Sequence, residues 1–237
     1  MSKLLNSGGD EAEFAKPLYV PIKRRSFFMY AGATAGATAL LLSSCNDDDD
    51  DTSMPGMVDV GSGDTGVLNY AYALEQLEAA FYTMVKAGDY YKNAVAAEKA
   101  ILDDIAAHEI IHREFFKAAL STSAIKPLEV DFSSINFGDR TAVLGAAKTF
   151  EDLGVAAYNG AGQYISSADY LTLAGKIVSV EARHAALIRD LISNGSFVND
   201  VVSPTTGLEL SKSPVDVANA ANMYLKDGFK INVGNIK

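Results

Sequence analysis

Three histidines occur in this chain of 237 residues, and two of them follow a glutamate by three positions: Glu109-x-x-His112 and Glu181-x-x-His184. Helix residues at i and i+3 lie on one face, about 5–6 Å apart at Cβ. Each pair can therefore turn a carboxylate and an imidazole toward one point, which is what metal ligation needs. Two further glutamates stand in segments that align without gaps. Leu74-Glu75-Gln76-Leu77-Glu78-Ala79-Ala80-Phe81-Tyr82 lies over Phe150-Glu151-Asp152-Leu153-Gly154-Val155-Ala156-Ala157-Tyr158. Each carries Glu, then Leu two residues later and Tyr seven later. Residues seven apart are two turns apart and nearly in line, so Tyr82 shares a stripe with Glu75, and Tyr158 with Glu151.

The candidate metal ligands are thus Glu75, Glu109, His112, Glu151, Glu181 and His184. Leu74, Leu77, Ile105, Ile111, Leu153, Val180 and Leu187 flank them and place the ligand face toward the core. Burying four carboxylates there without compensation is prohibitive. Two divalent cations offset four carboxylates beside two neutral imidazoles, for zero net charge. Carboxylate oxygen with imidazole suits Fe or Mn, and Zn less selectively. Glu78 lies one turn from Glu75 and is an alternative ligand, but its counterpart in the repeat is Gly154. His108 has no counterpart histidine and points about 100° away from Glu109, which suits a surface or supporting position better than ligation.

Four helices must position these residues. Asp64 can cap a first helix to about Ala87, stopped by Gly88. A second runs from about Ala94 to Leu120. Asp139 caps a third to about Ile165, and Asp169 opens a fourth that ends at Asn194-Gly195. Short joins link the first to the second and the third to the fourth. Residues 121–138 contain Pro127 and lack helical period. Short joins make antiparallel hairpins, and a long one makes a crossover. The expected fold is all-α: an up-down-down-up four-helix bundle over residues 64–195. Residues 196–237 form an extension, with a short helix started by Ser213-Pro214.

One Glu from each of two helices, with Glu-x-x-His from each of the other two, resembles the di-iron or di-manganese carboxylate signature of the ferritin-like superfamily. Within it, the chain looks most like exported, desiccation-associated ferritin-like proteins. The resemblance implies Glu75 and Glu151 as terminal carboxylates, Glu109 and Glu181 as bridges, and one metal on each of His112 and His184. It implies Tyr82 and Tyr158 near the metals, hydrogen-bonding ligand carboxylates. The implied cofactor is two Fe ions, with Mn as the alternative, and the implied reactants are O₂ or peroxide. The implied role is ferroxidase-like or peroxide-related stress chemistry. A dimanganese catalase-like enzyme and a non-enzymatic metal-binding or structural module are the alternatives. The superfamily is compatible with a homodimer.

The first 44 residues read as an address. Lys23-Arg24-Arg25-Ser26-Phe27-Phe28 resembles a twin-arginine signal through Arg24 and Arg25. An apolar stretch from Met29 to Leu42 follows, shorter than the roughly 20 residues of a membrane-spanning helix and suited to a signal core. Leu42-Ser43-Ser44-Cys45 resembles a lipobox, which implies cleavage before Cys45 and lipidation of its thiol. The expected location is the cell envelope, lipid-anchored to the outer membrane, on its periplasmic or its outer face. Residues 45–63, with the run Asp47 to Asp51, read as an acidic, flexible tether. A single cysteine excludes an internal disulfide. A net charge of −10 argues against nucleic acid and against direct contact with anionic lipid.

Overall fold

The computed structural model describes residues 56–237. The signal with Arg24 and Arg25, the site at Cys45 and the acidic run lie outside the described residues. A short strand β1 (Val58–Asp59) leads into α1 (Gly63–Ala87). A one-turn helix α2 (Asp89–Asn93) fills the join to α3 (Ala96–Leu120). The crossover then leads to α4 (Arg140–Ala161), and a short join leads to α5 (Ala168–Ile192). A short α6 (Pro214–Ala221) and strand β2 (Ile231–Asn232) complete the chain. The fold is an all-α helical bundle, as the spacing predicts.

The two hairpins are α1 with α3 and α4 with α5, and α1 also packs on α4. Residue 75 pairs with 158, and 82 with 151, across α1 and α4. One number rises as the other falls, so these helices are antiparallel, and the order is up-down-down-up. Asn69 and Gln76, both buried on α1, hold the crossover in place. Asn69 donates to the Ser123 carbonyl and accepts from the Ile125 N–H, and Gln76 accepts from the Leu128 N–H.

The local signals for helix ends divide in an instructive way. The Asp139 carboxylate accepts from the Ala142 N–H, and the Ser213 hydroxyl from the Asp216 N–H, as helix caps should. Asp64 does otherwise. It lies inside the first turn of α1 and accepts from the backbone N–H groups of Ser166 and Ser167, tying α1 to the α4–α5 join. Asp169 likewise lies inside α5, whose cap is Ser167. Gly88 does end α1, but at φ −74°, outside the left-handed region. Glycine is required there because a Cβ would lie 2.5 Å from the Phe137 carbonyl oxygen.

Two expectations need correction. Ile111 and Leu187 do not face the core: they are 61% and 40% exposed. At about 100° per residue, each lies roughly 90° or more around its helix from the midline of its Glu-x-x-His pair, off the buried stripe. The tether reading also fails at its end. Val58 and Val60 are buried, and β1 pairs in parallel with β2 of the C-terminal extension. That extension is part of the packed body: the Lys212 N–H donates to the Ala156 carbonyl on α4.

Candidate metal centre

All six sequence-derived residues converge in the middle of the bundle, and all are buried. Glu75 comes from α1, Glu109 and His112 from α3, Glu151 from α4, and Glu181 and His184 from α5. Their donor atoms form two overlapping groups, within each of which the atoms lie within 4.8 Å of one another. One group is Glu75, Glu109, His112 and Glu181; the other is Glu109, Glu151, Glu181 and His184. Glu109 and Glu181 belong to both. Each can reach two centres, whereas Glu75 and Glu151 each reach one.

The arrangement crosses between helices. His112 Nδ1 on α3 lies 2.7 Å from Glu181 Oε1 on α5, and His184 Nδ1 on α5 lies 2.8 Å from Glu109 Oε1 on α3. Glu75 Oε2 and Glu151 Oε2 stand at 3.5 Å from His112 and His184 respectively. Tyr158 on α4 donates to Glu75 on α1 at 2.5 Å, and Tyr82 on α1 donates to Glu151 on α4. Each tyrosine serves the glutamate of the opposite helix, not the one seven residues before it. This occupies one oxygen of each outer carboxylate and leaves the other facing the centre.

The free donor atoms test whether metal fits. Glu75 Oε2, both oxygens of Glu109 and Glu181, Glu151 Oε2, and Nδ1 of His112 and His184 are buried without a hydrogen-bond partner. The carboxylate–imidazole contacts are close, yet the ring N–H directions do not meet the oxygens as hydrogen bonds. Unpaired buried polar groups are expensive, and these all converge on one place. Metal–oxygen and metal–nitrogen bonds of about 2.0–2.2 Å fit donors spaced this way. The residues are compatible with a di-metal site.

The electrostatics show how unstable the cluster is by itself. Burial, followed by the charge of Glu181, pushes the Glu75 carboxyl well above its ordinary value against the opposing pull of His112. Burial pushes Glu151 up to about 8, against the opposing contact with His184. Burial acts on Glu109 in the same direction, but His112 and His184 outweigh it and bring it down to about 2. Burial lowers the imidazoles, yet the surrounding carboxylates, led by Glu109, outweigh it and push both histidines up to about 12. Without a cation the cluster therefore holds protons in its place.

The tertiary structure places three further features. His108 is exposed and takes the supporting position that the sequence allowed it. Its Nδ1 lies 3.0 Å from His184 Nε2, and the two rings stack with centroids 5.2 Å apart. With His184 Nδ1 bound to a metal, Nε2 of the neutral ring would carry the proton and donate to His108. The signal was the histidine at 108 opposite Val180 in the repeat. Glu78 is buried beside the cluster but is in neither group. A Cβ on Gly154 would lie 2.9 Å from Glu78 Oε1, so glycine at the matching position makes room for it. Burial, then the four neighbouring carboxylates, push Glu78 well above its ordinary value. Finally, an aromatic cluster of Phe81, Phe132, Phe137, Phe150 and Tyr224 fills the bundle beyond Tyr82.

A family model described as a ferritin-like domain matches residues 63–194. No curated protein matches the chain.

Proposed function

The chain belongs to the ferritin-like domain family, and from that premise we propose that it binds two divalent metal ions and serves as a redox centre for O₂ or peroxide. Iron is the leading metal and manganese the alternative. The observation that carries this reading is the pair of four-residue groups sharing Glu109 and Glu181. Two redox-active metal ions held by these groups would supply one-electron chemistry for oxygen or peroxide.

The chain's own residues do the rest. Glu75, Glu109, Glu151 and Glu181 supply charge balance, and His112 and His184 supply one neutral nitrogen to each side. Tyr82 and Tyr158 fix the outer carboxylates by their hydroxyl protons. Glu78, buried and with its carboxyl pushed well above its ordinary value, can carry a proton within the cluster's reach. His108 holds the ring of His184 and links it to the surface. The aromatic cluster excludes water from the Glu151 side.

We place this centre in the cell envelope on a lipid tether. The support is Arg24-Arg25 before an apolar core and the single cysteine, Cys45, at its end. The lipid on Cys45 would be the attachment; no described helix is long and apolar enough to cross a membrane. A role in envelope stress follows from the place and the chemistry together.

Anaerobic purification with elemental analysis tests the site. The expected result is two metal ions per chain, and fewer than 0.5 in Glu109→Ala,Glu181→Ala with helical content retained (roughly; an order-of-magnitude threshold). Unchanged metal content in that variant refutes the site. Peroxide and O₂ consumption by Fe-loaded and Mn-loaded protein then separates the chemistries. Oxygen release from peroxide by the Mn form alone selects the catalase-like alternative, and no turnover in either form selects a metal-binding module.

A further inference from the structure

The repeat makes the two halves of the centre alike, but the bundle surrounds them differently. The Glu151–His184 side is closed by Tyr82, by the Phe81 cluster and by His108. The Glu75–His112 side adjoins a cavity of about 340 Å³ between α1, α3, α4 and α5. Its wall includes Leu68, Leu74, Phe116, Tyr158 and Ile177. Tyr158 is the residue that donates to Glu75, so the cavity ends one hydrogen bond from the centre. A second apolar hollow, about 410 Å³, lies between α3 and α5 and has His112 in its wall. The two hollows share Phe115, Leu173, Lys176 and Ile177. They form one cleft along the Glu75–His112 side.

Both size and polarity restrict what fits. An apolar cavity of roughly 150 Å³ stays dry and holds a benzene molecule. On that scale this cavity holds roughly a dozen carbon atoms. An apolar wall gives no reward to a polar guest, which would lose its water without replacement. At the junction of the two hollows stands Lys176, exposed and in no ion pair among the described residues. Two carboxylates line the cleft: Glu114, in the wall of the second hollow with Lys176, is paired with Arg113, and Asp169 lies two turns from Lys176 on the same helix. Asp169 repels an anion from the far edge and leaves Lys176 as the place for one.

We propose that this cleft binds an anionic amphiphile, a carboxylate on an unbranched chain of about a dozen carbons. The chain lies in the cavity against Tyr158, and the carboxylate pairs with Lys176. This deepens the redox reading, on which it rests for the identity of the neighbouring centre: it names the ligand class that reaches the Glu75–His112 side. It also explains why one half of a repeated site is sealed and the other is not.

The test uses the full, metal-loaded protein and calorimetric titration with dodecanoate, 1-dodecanol and dodecyltrimethylammonium below their aggregation limits. The expected result is saturable binding of one dodecanoate per chain, with the ammonium analogue at least tenfold weaker (order of magnitude, from the loss of one ion pair near an apolar wall). Lys176→Glu is expected to weaken dodecanoate by about tenfold or more and to leave dodecanol unchanged. Ala119→Phe, which fills the cavity wall, is expected to abolish both. Absence of saturable dodecanoate binding overturns the proposal, as does equal binding of the ammonium analogue. Sedimentation showing a dimer in which dodecanoate no longer binds also overturns it, in favour of a second copy over the cleft. Metal content is measured on the same samples. Two metals without dodecanoate binding overturns this inference alone, whereas dodecanoate binding to a chain that takes up no metal keeps the pocket and overturns the redox reading.

Discussion

At the scale of single residues, the shared carboxylates and the outer ones are not equivalent. Glu109 and Glu181 each face both histidines, while Glu75 and Glu151 face one apiece. Glu109→Ala is therefore expected to lose both metals, and Glu75→Ala to lose chiefly the one beside His112. Elemental analysis of the two variants checks this, and equal losses would deny the sharing. His108 acts through His184 and not on a reacting atom. Loss of such an outer partner typically weakens metal binding by about 10–100-fold. His108→Ala is expected to do so for one of two metals, seen as biphasic Co²⁺ titration spectra. His108→Asn, whose side-chain oxygen can accept the same proton, is expected to restore most of the affinity. A merely structural role for His108 would weaken both sites equally and gain nothing from Asn.

At the scale of elements, the bundle depends on long-range ties that no single helix carries. Arg189 on α5 is buried and makes a bidentate pair with Asp152 on α4, at 2.7 and 2.6 Å, and also donates to the Asn199 carbonyl. It thus joins a hairpin to the C-terminal extension. The extension meets α4 again at Gly160, where a Cβ would lie 1.8 Å from the Lys212 carbonyl oxygen. Both atoms are constrained by backbone, so neither can turn aside. Gly160→Ala is expected to destabilise the protein by about 1–3 kcal/mol, as overpacking does. Denaturant unfolding measures it, and metal content should stay at two per chain because the one ligand on α4, Glu151, lies more than two turns away.

At the scale of the whole molecule, the centre links metal, protons and stability. Glu151, Glu75, Glu78 and both histidines have raised values in the fold, so the metal-free protein binds more protons than its unfolded chain above the ordinary carboxylate range. Stability then falls as pH rises. The glutamate part is lost as pH climbs from the ordinary carboxylate value through about 8 for Glu151, and the histidine part from the ordinary imidazole value toward about 12. Glu109 acts oppositely, and only below the ordinary carboxylate range, down to about 2. Metal must displace the protons, so its binding strengthens as they leave. Thermal unfolding of metal-free protein is expected at a lower temperature at pH 9 than at pH 6. The gain on adding Fe(II) or Mn(II) under anaerobic conditions should be larger at pH 9. A metal-free protein that is more stable at pH 9 would contradict the protonation pattern.

The sequence by itself determined which six residues face inward and how many helices carry them. Spacing of three and seven is a property of one helix, so it needs no knowledge of neighbours. Connector lengths likewise fixed the hairpins and the crossover. Only the tertiary structure decided which helix each side chain meets. The crossed Tyr82–Glu151 and Tyr158–Glu75 bonds, the support of His184 by His108, and the fit of Glu78 against Gly154 all join residues 69 to 83 positions apart or on different helices. Asp64 shows the same limit, since a good cap by sequence serves a distant loop instead. The unlike surroundings of the two half-sites are also tertiary. A repeat sets equal ligands on both sides, but an aromatic plug at one end and a cavity at the other arise from what packs around them.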